Sequence, residues 1–271
     1  MPLKITTEMI KELRDSTGIS VMQCKHALEE AEGDTKKALA ILKKTSADIA
    51  LKKINREVKD GAVIIKTGDL PPTSVGETET SKKAVIVSLH CETDFVSRND
   101  DFTNLLSKLA DMALQDGAEK MKSNAKNIID PIIQKTGENI QLGEVYEISG
   151  DILGSYVHNN KIAVIVSLSG GSIELARDMA MHIAAMKPEY ITEEEITPDT
   201  IKTMTEVFQK EIANIDKPVE IKKKMLDGKL LAYFKEKTLL NQAFIKNGDE
   251  SIRGLLEKSK AKIKEVKRYS I

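Results

Sequence analysis

Several stretches of this chain carry residue types that could do chemistry. His90 and Cys91 adjoin the apolar run AVIVSL at Ala84–Leu89. An imidazole beside a thiol suggests an activated nucleophile. Adjacent residues on a strand point to opposite faces, so this pair cannot share a proton. Asp94, Asp100 and Asp101 follow in the same segment, HCETDFVSRNDD. They lack the central Gly and the terminal bidentate Glu of a calcium loop. Ser169-Gly170-Gly171-Ser172 stands at a strand-to-helix turn, where an anion can bind. A tight turn is the simpler reading of that Gly pair. Neither GxxxxGK[ST] nor GxGxxG occurs, so nucleotide phosphates have no recognisable cradle. The two cysteines, Cys24 and Cys91, are far apart and in no CxxC or Cys/His cluster, so no zinc ligand set exists. His182 lies between apolar neighbours of a helix, Met179 and Ile183 among them, and reads as a structural histidine. His158 differs: beside the Asn159-Asn160 turn it sits on an exposed rim and is a candidate contact residue. With no catalytic set, no metal and no cofactor site in view, a binding protein is expected rather than an enzyme.

The segment HCETDFVSRNDD is the focus of that expectation. At its centre a Phe, one of five in a chain without Trp, sits beside Asp94 in a polar stretch with turn character. Phe95 is either tucked into its own core or offered to a partner.

The elements around it follow from periodicity and capping. Residues up to about Lys53 read as three short helices. Thr6 caps the first, and Thr17-Gly18 breaks it. Ser20 and Gln23 form a capping box for the second. Gly33 suits a C′ position, and Asp34 caps the third. So small a bundle buries little, and the Gly18–Met22 loop with Lys25 is its natural contact surface. Val21 and Met22 are read equally well as core. Residues 46–60 continue as a charged helix or linker. Gly61–Lys66 is strand-like, Thr67–Lys83 an irregular loop, and Ala84–Leu89 an interior strand.

AVIVSL recurs at Ala163–Leu168. A second strand-like piece, Gly154–His158, precedes that copy, and an amphipathic helix follows each: Asp101–Leu114 and Ser172–Met186. Val145–Ile148 and Val266–Ile271 close the halves as strands. The chain therefore reads as an α+β protein with a duplicated strand–strand–helix–strand unit. The copies differ in their exits, a tight SGGS in one and the longer HCETDFVSRNDD in the other. A repeated scaffold with an unrepeated loop fits function carried on the loop. The second unit is interrupted by a helical hairpin. Thr197-Pro198-Asp199 starts it, Ile201, Met204, Phe208, Ile212 and Ile215 form a narrow apolar seam, and Asp216-Lys217-Pro218 turns the chain. Such a hairpin pairs with another chain or lies on its own domain. The expected domains are 1–53, 54–145, 146–196 with 236–271, and the hairpin 197–235.

The totals exclude other classes. The 271 residues provide a sizeable core without disulfides, and the formal net charge is −1. That balance argues against a bulk electrostatic grip on nucleic acid or on an anionic membrane. At 4% aromatics, stacking platforms for single strands are not expected. The N-terminus has no apolar signal core and no run reaches membrane-spanning length, so a cytosolic protein is expected.

Longer motifs go further. LRDSTGISVMQCKHAL at Leu13–Leu28, TDFVSRNDDF at Thr93–Phe102, GDILGSYVH at Gly150–His158 and MHIAAMKPEYI at Met181–Ile191 occur ungapped and in order. Through them the chain resembles the elongation factor Ts family of bacterial translation over nearly its whole length. The resemblance implies a ubiquitin-associated-like N-terminal bundle, two related core subdomains and an inserted hairpin that can mediate homodimerisation. It implies a guanine nucleotide exchange factor that binds elongation factor Tu, GDP-bound and nucleotide-free, and lets GTP replace GDP. Thr93, Asp94, Phe95 and Val96 match the family's wedge near the partner's magnesium site, with Phe95 the intruding ring and Asp94 a polar anchor. Val21, Met22 and Lys25 match contacts with the nucleotide-binding domain. Thr136, Gly137 and His158 match core positions facing the partner's other domains, and Thr136 stands where an aliphatic residue is common. The C-terminal helical module that some members add is not present after Ile271. Two other readings are an adaptor built on the N-terminal bundle and a small-molecule enzyme using the Gly170-Gly171 turn.

Overall fold

The computed structural model describes residues 5–69 and 82–271. Its contacts divide into two units. One comprises residues 1–150, Val157–Ile165 and Tyr269–Ile271, the other Asp151–Tyr156 and Val166–Arg268. Helices and small sheets are mixed in both, an α+β architecture.

The first unit begins with α1 (Thr7–Thr17), α2 (Val21–Glu30) and α3 (Thr35–Lys53). Local chemistry sets their ends. Thr6 and Ser20 accept from the backbone N–H groups of Met9 and Gln23, and Asp34 accepts from Lys36 and Lys37. Gly18 takes the left-handed conformation (φ 69°) that closes α1, a region costly for any side chain with a Cβ. Leu13, Ile19, Cys24, Leu28, Ala38 and Leu42 make a small core of their own. α3 takes in part of the stretch read as helix or linker and packs against a later helix, α6.

β1 (Asp60–Asp69), β2 (Lys82–Cys91) and β3 (Ile140–Gly150) form an antiparallel sheet in that order. AVIVSL lies on the central strand. Its Val85, Val87 and Leu89 alternate to one face and join Phe102, Leu105 and Leu109 of α5 (Asp100–Asp116) in a single apolar cluster. Both flanking strands are longer than expected. β1 runs through Thr67 and Gly68 to Asp69, and β3 begins at Ile140 rather than Val145. Pairing with β2 holds these added residues extended, although they contain no continuous apolar run. The rest of the loop read at Thr67–Lys83 falls, at residues 70–81, outside the described residues.

α6 (Ala118–Thr136) was not expected at all. It adds a second helix to the first half, so that half is not strand–strand–helix–strand. Met121, Ala125, Ile129 and Ile133 recur every four residues and are buried against the same cluster. Pro131 interrupts the hydrogen-bond ladder inside it without ending the helix.

β5 (Ile162–Ser169) is the middle strand of a sheet ordered β4 (Ile152–His158), β5, β8 (Lys262–Ser270), whose strands are each divided between the two units. α7 (Ile173–Met186) packs so closely on β4 that a Cβ on Gly154 would come within 2.0 Å of Ala176 backbone. α8 (Pro198–Ala213) and α9 (Val219–Lys237) form the expected hairpin, with Phe208 and Tyr233 edge to face at 5.7 Å. β6 (Ala243–Phe244), β7 (Asn247–Ser251) and α10 (Ile252–Lys258) follow, the small β-hairpin being unforeseen. No helix among the described residues is long and apolar enough to cross a membrane.

His182 is fully buried on α7, as a structural histidine should be. Its Nε2 lies 2.8 Å from Gln242 Oε1, and its Nδ1 accepts from the Ile245 N–H at 3.3 Å. Burial lowers its pKa below the ordinary 6.5, and protonating Nδ1 would set it against that N–H. The unfolded chain therefore binds the proton more readily. Stability from this group is complete above pH 6.5 and declines as the pH falls below it. The urea midpoint should drop between pH 7 and 5, and His182→Gln should flatten that part of the profile.

Candidate functional site

Phe95 settles the question its position raised. It lies on α4 (Asp94–Ser97), a single helical turn, with its ring 84% exposed. The segment is therefore helical rather than an open turn. A helix of four residues cannot hold itself in water, because nucleation is unfavourable and little propagation follows. Its neighbours hold it. Val96 and Ser97 are buried, and Val96 joins the apolar cluster under the sheet. Asp94, exposed, pairs with Arg98 at 3.2 Å.

The base of the turn is tied from two sides. Glu138 accepts from the Thr93 N–H at 3.0 Å and from the Thr93 hydroxyl at 2.6 Å. Thr93 stands at the N-cap, but its hydroxyl makes no cap bond and instead donates to Glu138. The reverse tie is made next door, where Glu92 accepts from the Asn139 N–H at 2.7 Å. Charge-assisted bonds of this kind contribute about 1.5–3 kcal/mol each, less where water reaches them. Asn139 is buried and donates to the carbonyl of Arg56 at 2.7 Å.

Asp60 anchors the other side. Burial opposes its ionisation, but hydrogen bonds from Lys161, Ser97 and the Gly61 N–H outweigh that and bring its pKa to about 2. The same carboxylate accepts from Lys161 of the β4–β5 hairpin at 2.7 Å, and α4 packs on β1, the strand that Asp60 begins. His158 is exposed where that hairpin turns on Asn159 and Asn160 (φ 49° and 55°), the pair of left-handed residues that a two-residue hairpin turn needs. It lies 3.3 Å from Asn159 Nδ2.

Thr136 and Gly137 end α6 directly before Glu138. Gly137 is left-handed (φ 77°) with open space around its Cα, and its carbonyl accepts from Lys53. Thr136 is half-buried, and its hydroxyl bonds back to Ile132 at 2.8 Å. The same turn reaches the N-terminal helices. Gln134 accepts from Ser46, and Lys135 bridges to Asp101 at 2.7 Å while lying against Gly18. Beyond Gly18, Val21 and Met22 are 48% and 58% exposed, so neither belongs to the core of the bundle. Lys25, also exposed, pairs with Glu29 at 3.7 Å. Every residue expected from the sequence to meet a partner protein falls in the first unit. The structure links the Thr93–Val96 turn to Thr136 and Gly137 through Glu138, and to the His158 hairpin through β1 and Asp60. The Val21–Lys25 face connects only indirectly, by way of Gly18 and Lys135.

Sequence reasoning missed Glu138, Glu92, Asn139 and Asp60. The spacing of Met121, Ala125, Ile129 and Ile133 with a capping Gly137 was signal enough for α6. No sequence signal ties residue 93 to residue 138. The suggested nucleophile is excluded by geometry. His90 turns to the Tyr269 hydroxyl at 2.8 Å, and Cys91 to the Thr93 carbonyl at 3.1 Å. The Gly170-Gly171 turn is packed closely, since a Cβ on Gly170 would lie 2.3 Å from the Lys260 carbonyl oxygen. Among the described residues, no three His, Cys, Asp or Glu are grouped so as to hold a metal ion.

The chain matches the family model described as Elongation factor TS over residues 92–271. It is 38% identical to the elongation factor Ts of Hahella chejuensis, across 98% of this chain and 92% of that protein. The elongation factor Ts proteins of Thioalkalivibrio sulfidiphilus and Pseudomonas syringae pv. tomato are 34% and 35% identical, over 99% and 96% of this chain and 92% and 88% of their own lengths.

Burial, with the Asp60 and Glu138 carboxylates nearby, pushes the Cys91 thiol up to about 12. Cys24 is buried as well. A disulfide exchange reagent at pH 8 should modify neither thiol in the native protein and both after unfolding, which absorbance of the released thiolate measures.

Proposed function

The chain belongs to the elongation factor Ts family of translation elongation factors, and on that premise we propose that it is the guanine nucleotide exchange factor of elongation factor Tu. It associates with the GDP-bound GTPase, weakens GDP and leaves a nucleotide-free complex that GTP resolves. Thr93, Asp94, Phe95 and Val96 are the wedge near the partner's magnesium site. Val21, Met22 and Lys25 contact its nucleotide-binding domain, and Thr136, Gly137 and His158 its other domains. The exchange involves no covalent step and needs no cofactor, and it takes place in the cytoplasm.

The observation that carries this reading is the 84% exposure of Phe95 on a turn whose base is buried and hydrogen-bonded. An apolar ring held out of its own core is positioned to enter another protein's. Burying it there contributes about 1.5–3 kcal/mol. The remainder is reciprocity. A factor that binds the nucleotide-free GTPase more tightly than the GDP form must lower GDP affinity by the same ratio. Magnesium bridges and neutralises the phosphate oxygens, so displacing what holds it loosens GDP.

The finer architecture goes with this proposal. Residues 1–53 are the ubiquitin-associated-like domain, and 54–145 and 146–196 with 236–271 are two related subdomains. The presence of AVIVSL on the middle strand of both three-stranded sheets supports that relation. The hairpin 197–235, with Val219 and Leu231 exposed, is where a second copy would pair.

The exposed Val21 and Met22 also favour a second reading, an adaptor that binds through its bundle alone. The two readings separate on one measurement, the release of fluorescent GDP from elongation factor Tu. Phe95→Ala should slow factor-stimulated release at least about tenfold, with an unchanged thermal midpoint because the ring is exposed. Release at the wild-type rate, together with loss of binding in Met22→Ala, would leave the adaptor.

A further inference from the structure

We propose that Glu138 is a positioning residue for the wedge, the group that fixes the angle at which Phe95 meets the GTPase. The inference rests on the exchange-factor reading above and adds a residue that lies outside the wedge itself.

The geometry carries it. α4 has three backbone hydrogen bonds in reach of its own short length, Ser97 to Thr93, Arg98 to Asp94 and Asn99 to Val96. Its C-terminal side is fixed by buried Val96 and Ser97, which packing supports. Its N-terminal side has no such support, since Asp94 and Phe95 are both exposed. What fixes that side is Glu138, whose two carboxylate oxygens separately take the Thr93 N–H and the Thr93 hydroxyl. Accepting both with one carboxylate sets the direction in which the chain enters α4, and therefore the direction in which Phe95 leaves it. The carboxylate is itself oriented. Its residue follows the left-handed Gly137 and precedes buried Asn139, whose N–H is held by Glu92. The segments 92–93 and 138–139 thus each lend a glutamate to the other's backbone.

A wedge has to be stiffer than what it displaces. If the turn yields when the ring meets the partner, the interaction energy goes into moving α4 instead of shifting the partner between its two states. A preorganised turn also avoids an ordering cost on binding. Glu138 should therefore affect how effectively bound factor releases GDP more than how much factor is needed for binding. Glutamine keeps the shape but loses the charge, and it presents an NH2 donor where one carboxylate oxygen accepted from Thr93, so the charge assistance of these bonds is lost.

The test uses the full-length protein and fluorescent GDP release from elongation factor Tu, with the rate followed to saturating factor. Glu138→Gln should lower the saturating rate about tenfold, as expected for loss of one charge-assisted bond, while the half-saturating concentration moves less. Glu138→Asp, which retains two acceptors, should recover part of the loss. On a Phe95→Ala background, where the ring is already gone, Glu138→Gln should have little further effect. Amide exchange should accelerate at Thr93 and not in β2, which shows that the variant is folded. A wild-type saturating rate for Glu138→Gln overturns the proposal. An equal fractional loss with and without Phe95 also overturns it, because the residue then acts on the fold and not through the ring. Failure of Phe95→Ala itself to slow release marks the different case in which the exchange-factor reading falls and takes this proposal with it.

Discussion

An exposed aromatic ring on a single helical turn is unstable against folding back onto its own protein, and the Glu138–Thr93 interaction opposes that collapse. The hydrophobic effect draws Phe95 toward any apolar surface within reach, by an amount similar to the energy that makes it useful to a partner. A loop of ordinary flexibility would let it go. Here the turn is pinned through a carboxylate on one side and through Val96 and Ser97 on the other, so the ring has nowhere to fold. The rest of the first unit can be understood as what brings residue 138 to residue 93. α6 delivers Glu138 at its C-terminal end, Gly137 turns the chain sharply there, and β3 leaves along the sheet. α6 in turn is located by α3 and α5, which pack on it from either side.

Charged and polar groups were needed for these ties because of where they lie. The base of α4 is at the edge of the core, half open to water, where an apolar clamp would gain little and would not set a direction. Hydrogen bonds do set a direction. Asp60 shows the same principle, with several donors outweighing the desolvation of its carboxylate. Its bonds from Lys161 and the Gly61 N–H hold the Asn159-Asn160 hairpin to the start of β1, the strand on which α4 packs. Cys91 adds to these ties on the buried side, with a thiol kept neutral and donating to the carbonyl of Thr93.

What was legible in the sequence was whatever depends on neighbours in the chain. Thr6, Ser20, Asp34, Ser172 and Thr197 each cap the helix that follows them, because a cap bond spans only two or three residues. The left-handed Asn159-Asn160 turn, the interior AVIVSL strands and the helical hairpin followed from local rules of the same kind. α6 carried a local signal in its four-residue apolar period, but Pro131 and a polar composition obscure it. The full lengths of β1, β3 and β8 escaped because their ends contain no continuous apolar run and are extended by the pairing of strands. The Thr93–Val96 turn stood out in the sequence through its odd Phe, but its support did not. Residues 93 and 138 are separated by 45 positions, and a Thr and a Glu at that distance carry no pattern.

The two exits from AVIVSL show how the same strand can lead to a site or to plain scaffold. After Leu168 the chain turns on Gly170 and Gly171, both left-handed, and presses against the backbone of Lys260 so closely that neither position tolerates a Cβ. Ser172 then caps α7 with its own hydroxyl in the ordinary way. After Leu89 that pattern is broken. Thr93 stands at the N-cap of α4 without making a cap bond and donates its hydroxyl to Glu138, so an extra, uncapped helical turn intervenes before α5, which Asn99 caps. A cap surrendered and a Phe exposed are both unfavourable for folding, and the Glu138 and Asp60 ties offset them. Local rules are kept where the chain only builds its scaffold and are set aside at Thr93–Phe95, which is where a contact with another protein would use them.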